Sequence, residues 1–110
     1  MNKKIKVKIR YIAYIIKSSN SFELDQKKLF QLVRKEYTQL YGLIDYSKSC
    51  LRVIEFSNNV LLISVSNKHL GKLISSTALI KQPRLIPITL SGTIKKLKKK
   101  IEKLQHIKMF

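Results

Sequence analysis

The sequence predicts an α+β fold, a ferredoxin-like α-β sandwich of βαββαβ order with a basic helix added at its end. Three observations predict it. Apolar residues alternate over 4–16, two β-rich runs flank Ser57-Asn58-Asn59, and apolar residues recur at helical spacing in the stretches between the strands.

In the first stretch Ile5, Val7, Ile9, Tyr11, Ala13 and Ile15 share one face, read as the core face. Lys4, Lys6, Lys8 and Arg10 share the other, followed there by Ile12, Tyr14 and Ile16. That is period two, hence a strand whose outer face turns from basic to apolar. Residues 18–25 form a polar connection, with Asp25 placed to cap a helix. Leu29, Phe30, Val33, Tyr37, Leu40 and Tyr41 then keep helical spacing up to Gly42, read as the C-cap, and 43–49 are left as a loop or extra turn.

Leu51–Phe56 and Val60–Ser66 read as a hairpin around Asn58-Asn59, because asparagine tolerates positive φ. A two-residue loop would set Phe56 opposite Leu61, Ile54 opposite Ile63 and Arg52 opposite Val65. On the other face it would set Glu55 opposite Leu62 and Val53 opposite Ser64. Leu70, Leu73, Ile74, Thr77 and Ala78 mark a second helix, which ends before Pro83. Residues 84–90 form the last strand, and Pro87 makes it an edge strand. Ser91-Gly92-Thr93 then opens a helix in which Ile94, Leu97, Ile101 and Leu104 form one stripe at about 100° per residue. Lys95, Lys96, Lys99 and Lys103 centre opposite that stripe.

At 110 residues and 45% hydrophobic composition, the chain reads as one small domain, 1–110, with a real core. The formal charge is +17, from 23 lysines and arginines against 6 acids. Such an excess repels itself in the compact state, and its commonest use is to meet nucleic acid. Thirteen of those cations lie within 3–17 and 95–108. The predicted fold makes the first and last strands neighbours, so the two groups would form one patch. The single cysteine, Cys50, excludes an intramolecular disulfide and reads as a buried apolar residue. No apolar run approaches the roughly 20 residues of a membrane span, and the basic start is no signal peptide. The expectation is a cytoplasmic protein with no membrane partner.

Residues for chemistry are sparse. His69 and His106 have no cysteine or carboxylate at metal-ligand spacing and read as surface histidines. The acids are scattered singly, and no glycine-rich phosphate loop exists. The polypeptide itself is read as non-catalytic, with no metal and no catalytic residue. Val60-Leu61-Leu62-Ile63-Ser64-Val65 holds no aromatic on which a base could stack, so contacts to phosphates and RNA shape are expected instead of base readout. Gly92 at a helix start would let a phosphate come close.

Four stretches occur together and in order: Arg10-Tyr11-Ile12, Tyr41-Gly42, Leu51-Arg52-Val53-Ile54-Glu55-Phe56 and Ser91-Gly92-Thr93-Ile94-Lys95-Lys96. With these separations the chain resembles the protein component 2 subunit of archaeal ribonuclease P, related to a eukaryotic ribonuclease P and MRP subunit, over about residues 5–103. The stretch after the last strand is the most specific of the four. The resemblance implies an RRM-like sandwich and an endoribonuclease complex that removes 5′ leaders from precursor tRNA. The catalyst of that complex is its RNA, using magnesium bound to the RNA. The implied partners are ribonuclease P RNA, protein component 3 and other protein subunits, with precursor tRNA met indirectly. Arg10, Tyr11, Ser91, Gly92, Thr93 and Lys95 stand at family-motif positions. Leu43-Ile44-Asp45-Tyr46 departs from the more glycine-rich loop that the resemblance implies.

The candidate RNA-binding residues are therefore Lys4, Lys6, Lys8 and Arg10, the turn Ser91, Gly92 and Thr93, and Lys95, Lys96, Lys99 and Lys103. Ile12, Tyr14, Ile16, Leu51, Val53 and Leu62 make the second sheet face too apolar for solvent. Either an extra helix of this chain or a partner protein covers it, and the resemblance offers protein component 3 as that partner. Three other readings stand beside this one: a general structured-RNA binder, ribosome-associated or not, which shares every bulk feature; a protein-interaction or membrane-surface module built on the basic amphipathic helix; and a small nuclease acting alone, against which the lack of acid or histidine clusters argues. The second is disfavoured by a narrow apolar stripe without tryptophan.

Overall fold

The computed structural model describes residues 7–18 and 24–106. Seven regular elements follow one another: β1 (Ile9–Lys17), α1 (Gln26–Lys48), β2 (Arg52–Ser57), β3 (Val60–Ser66), α2 (Leu70–Ala78), β4 (Arg84–Ser91) and α3 (Ile94–His106). A short 3₁₀ turn, Asn67–His69, leads into α2. The strands form one sheet in the order β2-β3-β1-β4 with antiparallel neighbours throughout. This is the predicted ferredoxin-like sandwich with its added C-terminal helix.

Local chemistry accounts for the boundaries. Asp25 is extended and accepts from the Lys28 amide at 2.7 Å, capping α1 as expected. Asn58 and Asn59 take φ of 51° and 62°, the left-handed pair that a tight hairpin needs. Phe56 pairs with Leu61 and Glu55 with Leu62, as read from the sequence. A bulge at Ile54 then shifts the rest, so that Val53 faces Ile63 and Arg52 faces Ser64. Strand β4 is an edge, where Pro87 is tolerated, and its register against β1 slips beside that proline, between Ala13 and Tyr14.

Helix α1 does not end at Gly42. That residue takes φ 89° and ψ 165°, kinking the chain, and the helix resumes to Lys48. Tertiary contacts overrule the glycine stop. Tyr46 comes back within 6.1 Å of the Tyr37 ring, and Tyr37 Oη donates to Asp45 Oδ1 at 2.5 Å. Leu40, Leu43 and Ile44 remain exposed around the kink.

Two cores lie on opposite faces of the sheet. Beneath α1 and α2, Ile12, Tyr14, Ile16, Leu61, Ile63 and Val65 pack on Leu29, Val33, Tyr37 and Leu73. Tyr14 is fully buried, and its hydroxyl shares a 3.0 Å hydrogen bond with Thr77. Burial pushes that phenol up to about 12. Beneath α3, a smaller core joins Ala13, Val60, Leu62, Leu97 and Ile101.

This corrects the face assigned to a protein partner. Ile12, Tyr14, Ile16 and Leu51 belong to the main core at 7% exposure or less, and Val53 packs against it. Leu62, 3% exposed, is covered by α3. The chain's own helices cover both sheet faces: five of these six are buried, and Val53 is half-buried against the main core. The physical reason is that both faces of β1 are apolar at their centre, which makes alternation a poor guide to which face takes the larger helical layer.

Candidate nucleic-acid interface

The topology gathers one end of the sheet into a basic surface. Strand β1 starts there, β3 and β4 end there, α1 ends there, and α2 and α3 begin there. Backbone bonds tie these termini together: the Asn67 amide donates to the Lys8 carbonyl and the Ser66 amide to the Ser49 carbonyl, each at 2.7 Å.

Arg10 is the bridge within this end. Its Nε donates to Asn67 Oδ1 at 3.2 Å, and its Nη1 lies 3.3 Å from where a Cβ would stand on Gly92. Glycine thus leaves room for the guanidinium to lie over the turn that opens α3. Tyr11 pairs with Ser91, which is buried, so the motif positions of the two strands are neighbours. Tyr11 is half-buried against the α3 core, in keeping with a packing role. Thr93 caps α3: its Oγ1 accepts from the Lys96 amide at 3.2 Å and its carbonyl from the Leu97 amide.

Helix α3 lies across the sheet, pinned from both flanks. Lys98 pairs with Glu55 on β2 at 2.9 Å, and Lys100 Nζ donates to the Leu90 carbonyl on β4 at 2.8 Å. Both lysines sit about 80° from the centre of the apolar stripe, on opposite sides, so each reaches down to one edge of the sheet. Lys95, Lys96, Lys99 and Lys103 point the other way, are exposed, and make no ion pair among the described residues. Lys8 and Arg10 continue this surface at the start of β1. Lys4 and Lys6 lie outside the described residues.

The same end holds residues whose isolation in the sequence hid them. Lys48, Lys68, Asn67 and His69 come from the α1–β2 and β3–α2 connections. His69 is not a surface histidine: its side chain is 16% exposed, its Nε2 lies 3.9 Å from Asp45 Oδ1, and its Nδ1 is buried without a hydrogen-bond partner. The side chain of His106 is outside the described set. Cys50 is exposed, not buried, and takes φ 57° in the turn after α1.

Asp45 anchors the kinked part of α1 to α2. Lys72 Nζ approaches its Oδ2 to 2.5 Å, and this bond, then that from Tyr37, hold its carboxyl below the usual carboxylate range. Burial and then the Asp45 bond push the Tyr37 phenol upward. Because Asp45 is more acidic folded than unfolded, it contributes stability above about pH 4, lost as the pH falls through its folded value. Asp45→Asn is expected to be less stable than the parent at neutral pH and to converge with it in acid. Urea midpoints taken from about pH 7 to about pH 3 test this, and a gap that stays constant would refute it.

Among the described residues no group of three or more His, Cys, Asp or Glu side chains could hold a metal ion. No helix among them is long and apolar enough to cross a membrane.

Comparison with known proteins settles the family. The sequence profile of the Rpp14/Pop5 family matches residues 10–102, from the Arg10 bridge through most of α3. The chain belongs to the Rpp14/Pop5 family. It is thereby grouped with ribonuclease P and MRP protein subunits. A chain in the cryo-EM structure of yeast ribonuclease MRP has the same fold, with a TM-score of 0.64 at 17% identity over 94% of this chain and 96% of that one. No curated protein sequence matches. The family match spans the Ser91-Gly92-Thr93 turn and the α3 lysines as far as Lys100, along with the connections that supply Lys48 and Lys68.

Proposed function

We propose that this Rpp14/Pop5 protein supports the catalytic RNA of an archaeal-type ribonuclease P in removing 5′ leaders from precursor tRNA, and does no chemistry itself. The observation that carries the reading is the surface running from Arg10 over Gly92 onto Lys95, Lys96, Lys99 and Lys103, in which exposed cations are left without carboxylate partners. Crowded phosphates of a folded RNA repel one another, and a fixed row of ammonium groups offsets that repulsion where diffuse magnesium otherwise would. Magnesium would sit on the RNA and not on this chain. Protein component 3 and other subunits would complete the particle, in the cytoplasm. With both faces covered by helices, the sheet offers no platform for stacked bases, which favours backbone and shape recognition.

The test is 5′-leader cleavage of a precursor tRNA by the cognate ribonuclease P RNA at limiting magnesium, with protein component 3 alone and then with this chain added. Cleavage that needs both proteins is the expected result. No effect of the chain, with its RNA binding intact, would leave a general structured-RNA binder instead.

A further inference from the structure

Beside the Arg10 bridge lies a cavity of about 310 Å³, lined by Lys8, Lys48, Lys68, Ser66, Asn67 and His69 together with the apolar Val7. We infer that it is a second phosphate site, which receives one phosphodiester of the bound RNA. The inference rests on the RNA-binding reading and adds to it a place and a set of residues.

Four features of the cavity favour an anion. Three lysines reach it from three separate segments, the start of β1, the end of α1 and the turn before α2, and none of them makes an ion pair among the described residues. No carboxylate lines it. The nearest acid in contact with a lining residue, Asp45, is already engaged by Lys72 and Tyr37. The fourth feature is His69, whose Nδ1 is the one buried side-chain nitrogen or oxygen among the described residues without a partner. A buried polar atom left unsatisfied costs on the order of 1–3 kcal/mol, so the ring that carries it, itself part of the cavity wall, has a hydrogen bond still to gain.

The site is built, not a chance meeting of long side chains. The Asn67 amide is held on the Lys8 carbonyl, and the Asn67 side chain accepts from Arg10. The same asparagine therefore joins the wall of this cavity to the guanidinium over Gly92. A phosphate here and a phosphate at the start of α3 would lie on either side of one residue, as successive contacts along one strand of backbone require.

The experiment uses the full chain. Lys48→Ala with Lys68→Ala is compared with Lys17→Ala with Lys81→Ala, a pair of equal charge change at the end of the sheet where β1 finishes and β4 begins. Binding to ribonuclease P RNA is measured across salt concentrations, and amide spectra are recorded during titration with inorganic phosphate. The first pair is expected to lower the salt slope by about 0.7–0.9, the loss of one phosphate contact, while the control pair leaves it unchanged. Inorganic phosphate is expected to shift Asn67, Lys68 and His69 in the parent and to lose that effect in the first pair. Equal slopes for the two pairs, or phosphate shifts spread over all lysine-bearing segments, would overturn the site. A parent chain that shows the local phosphate shifts but does not bind ribonuclease P RNA would keep the anion site and remove the functional reading.

Discussion

Replacing Lys95, Lys96, Lys99 and Lys103 together by alanine is expected to flatten the salt dependence of RNA binding by roughly 3 units in the log–log slope. Each phosphate contact contributes about 0.7–0.9, and four exposed ammonium groups without carboxylate partners stand on that face. Over a fourfold rise in salt, such a difference changes the ratio of parent to variant affinities by about 60-fold. The variant should fold at least as well as the parent, because alanine is the better helix former and the four lysines repel one another. Loss of binding could then not be ascribed to a melted helix. An unchanged slope would show that the RNA lies elsewhere.

The second large effect is on docking. Leu97 is fully buried at the centre of the small core, against Ala13, Val60, Leu62 and Ile101. Leu97→Ala should cost about 2–5 kcal/mol, the usual range for a buried leucine, out of a total of about 5–15 for a domain. The loss falls on α3, because the main core on the other face does not contain Leu97. Denaturant unfolding together with RNA binding tests this. The variant should bind weakly although it keeps every lysine. A change in stability below about 1 kcal/mol with binding intact would mean that α3 holds its place without this contact.

What the sequence shows clearly and what it hides divide along one line. Asp25, the Asn58-Asn59 turn and the stripe on α3 act through residues a few positions away, and each stands where it was read. Gly42 is a local stop signal overruled by distant partners: Tyr37 and Lys72 hold Asp45, and the helix resumes. The bulge at Ile54 and the left-handed Cys50 likewise answer to the packing of strands, which periodicity does not record. Of the two covers the sequence allows for the second face of β1, the chain's own helices are the one found, and periodicity could not choose because Ile12, Tyr14 and Ile16 are as apolar as Tyr11, Ala13 and Ile15. Only the number of helices on each side decides between them. The basic surface was half legible. Clustered lysines at 95–103 announce themselves, whereas Lys48 and Lys68 are ordinary single cations until the connectivity of the sheet brings them beside Lys8.

The clamped lysine helix has a consequence for handling the protein. Within α3, Lys95 and Lys99, Lys96 and Lys100, and Lys99 and Lys103 are like charges four residues apart, which strains the unbound chain. Added electrolyte shields that strain, and it also shields the attraction to phosphate. The two responses run in opposite senses: the buffer in which the isolated chain keeps best is the one in which it grips its RNA least. A preparation stored in strong brine and assayed without dilution would look well folded and inert.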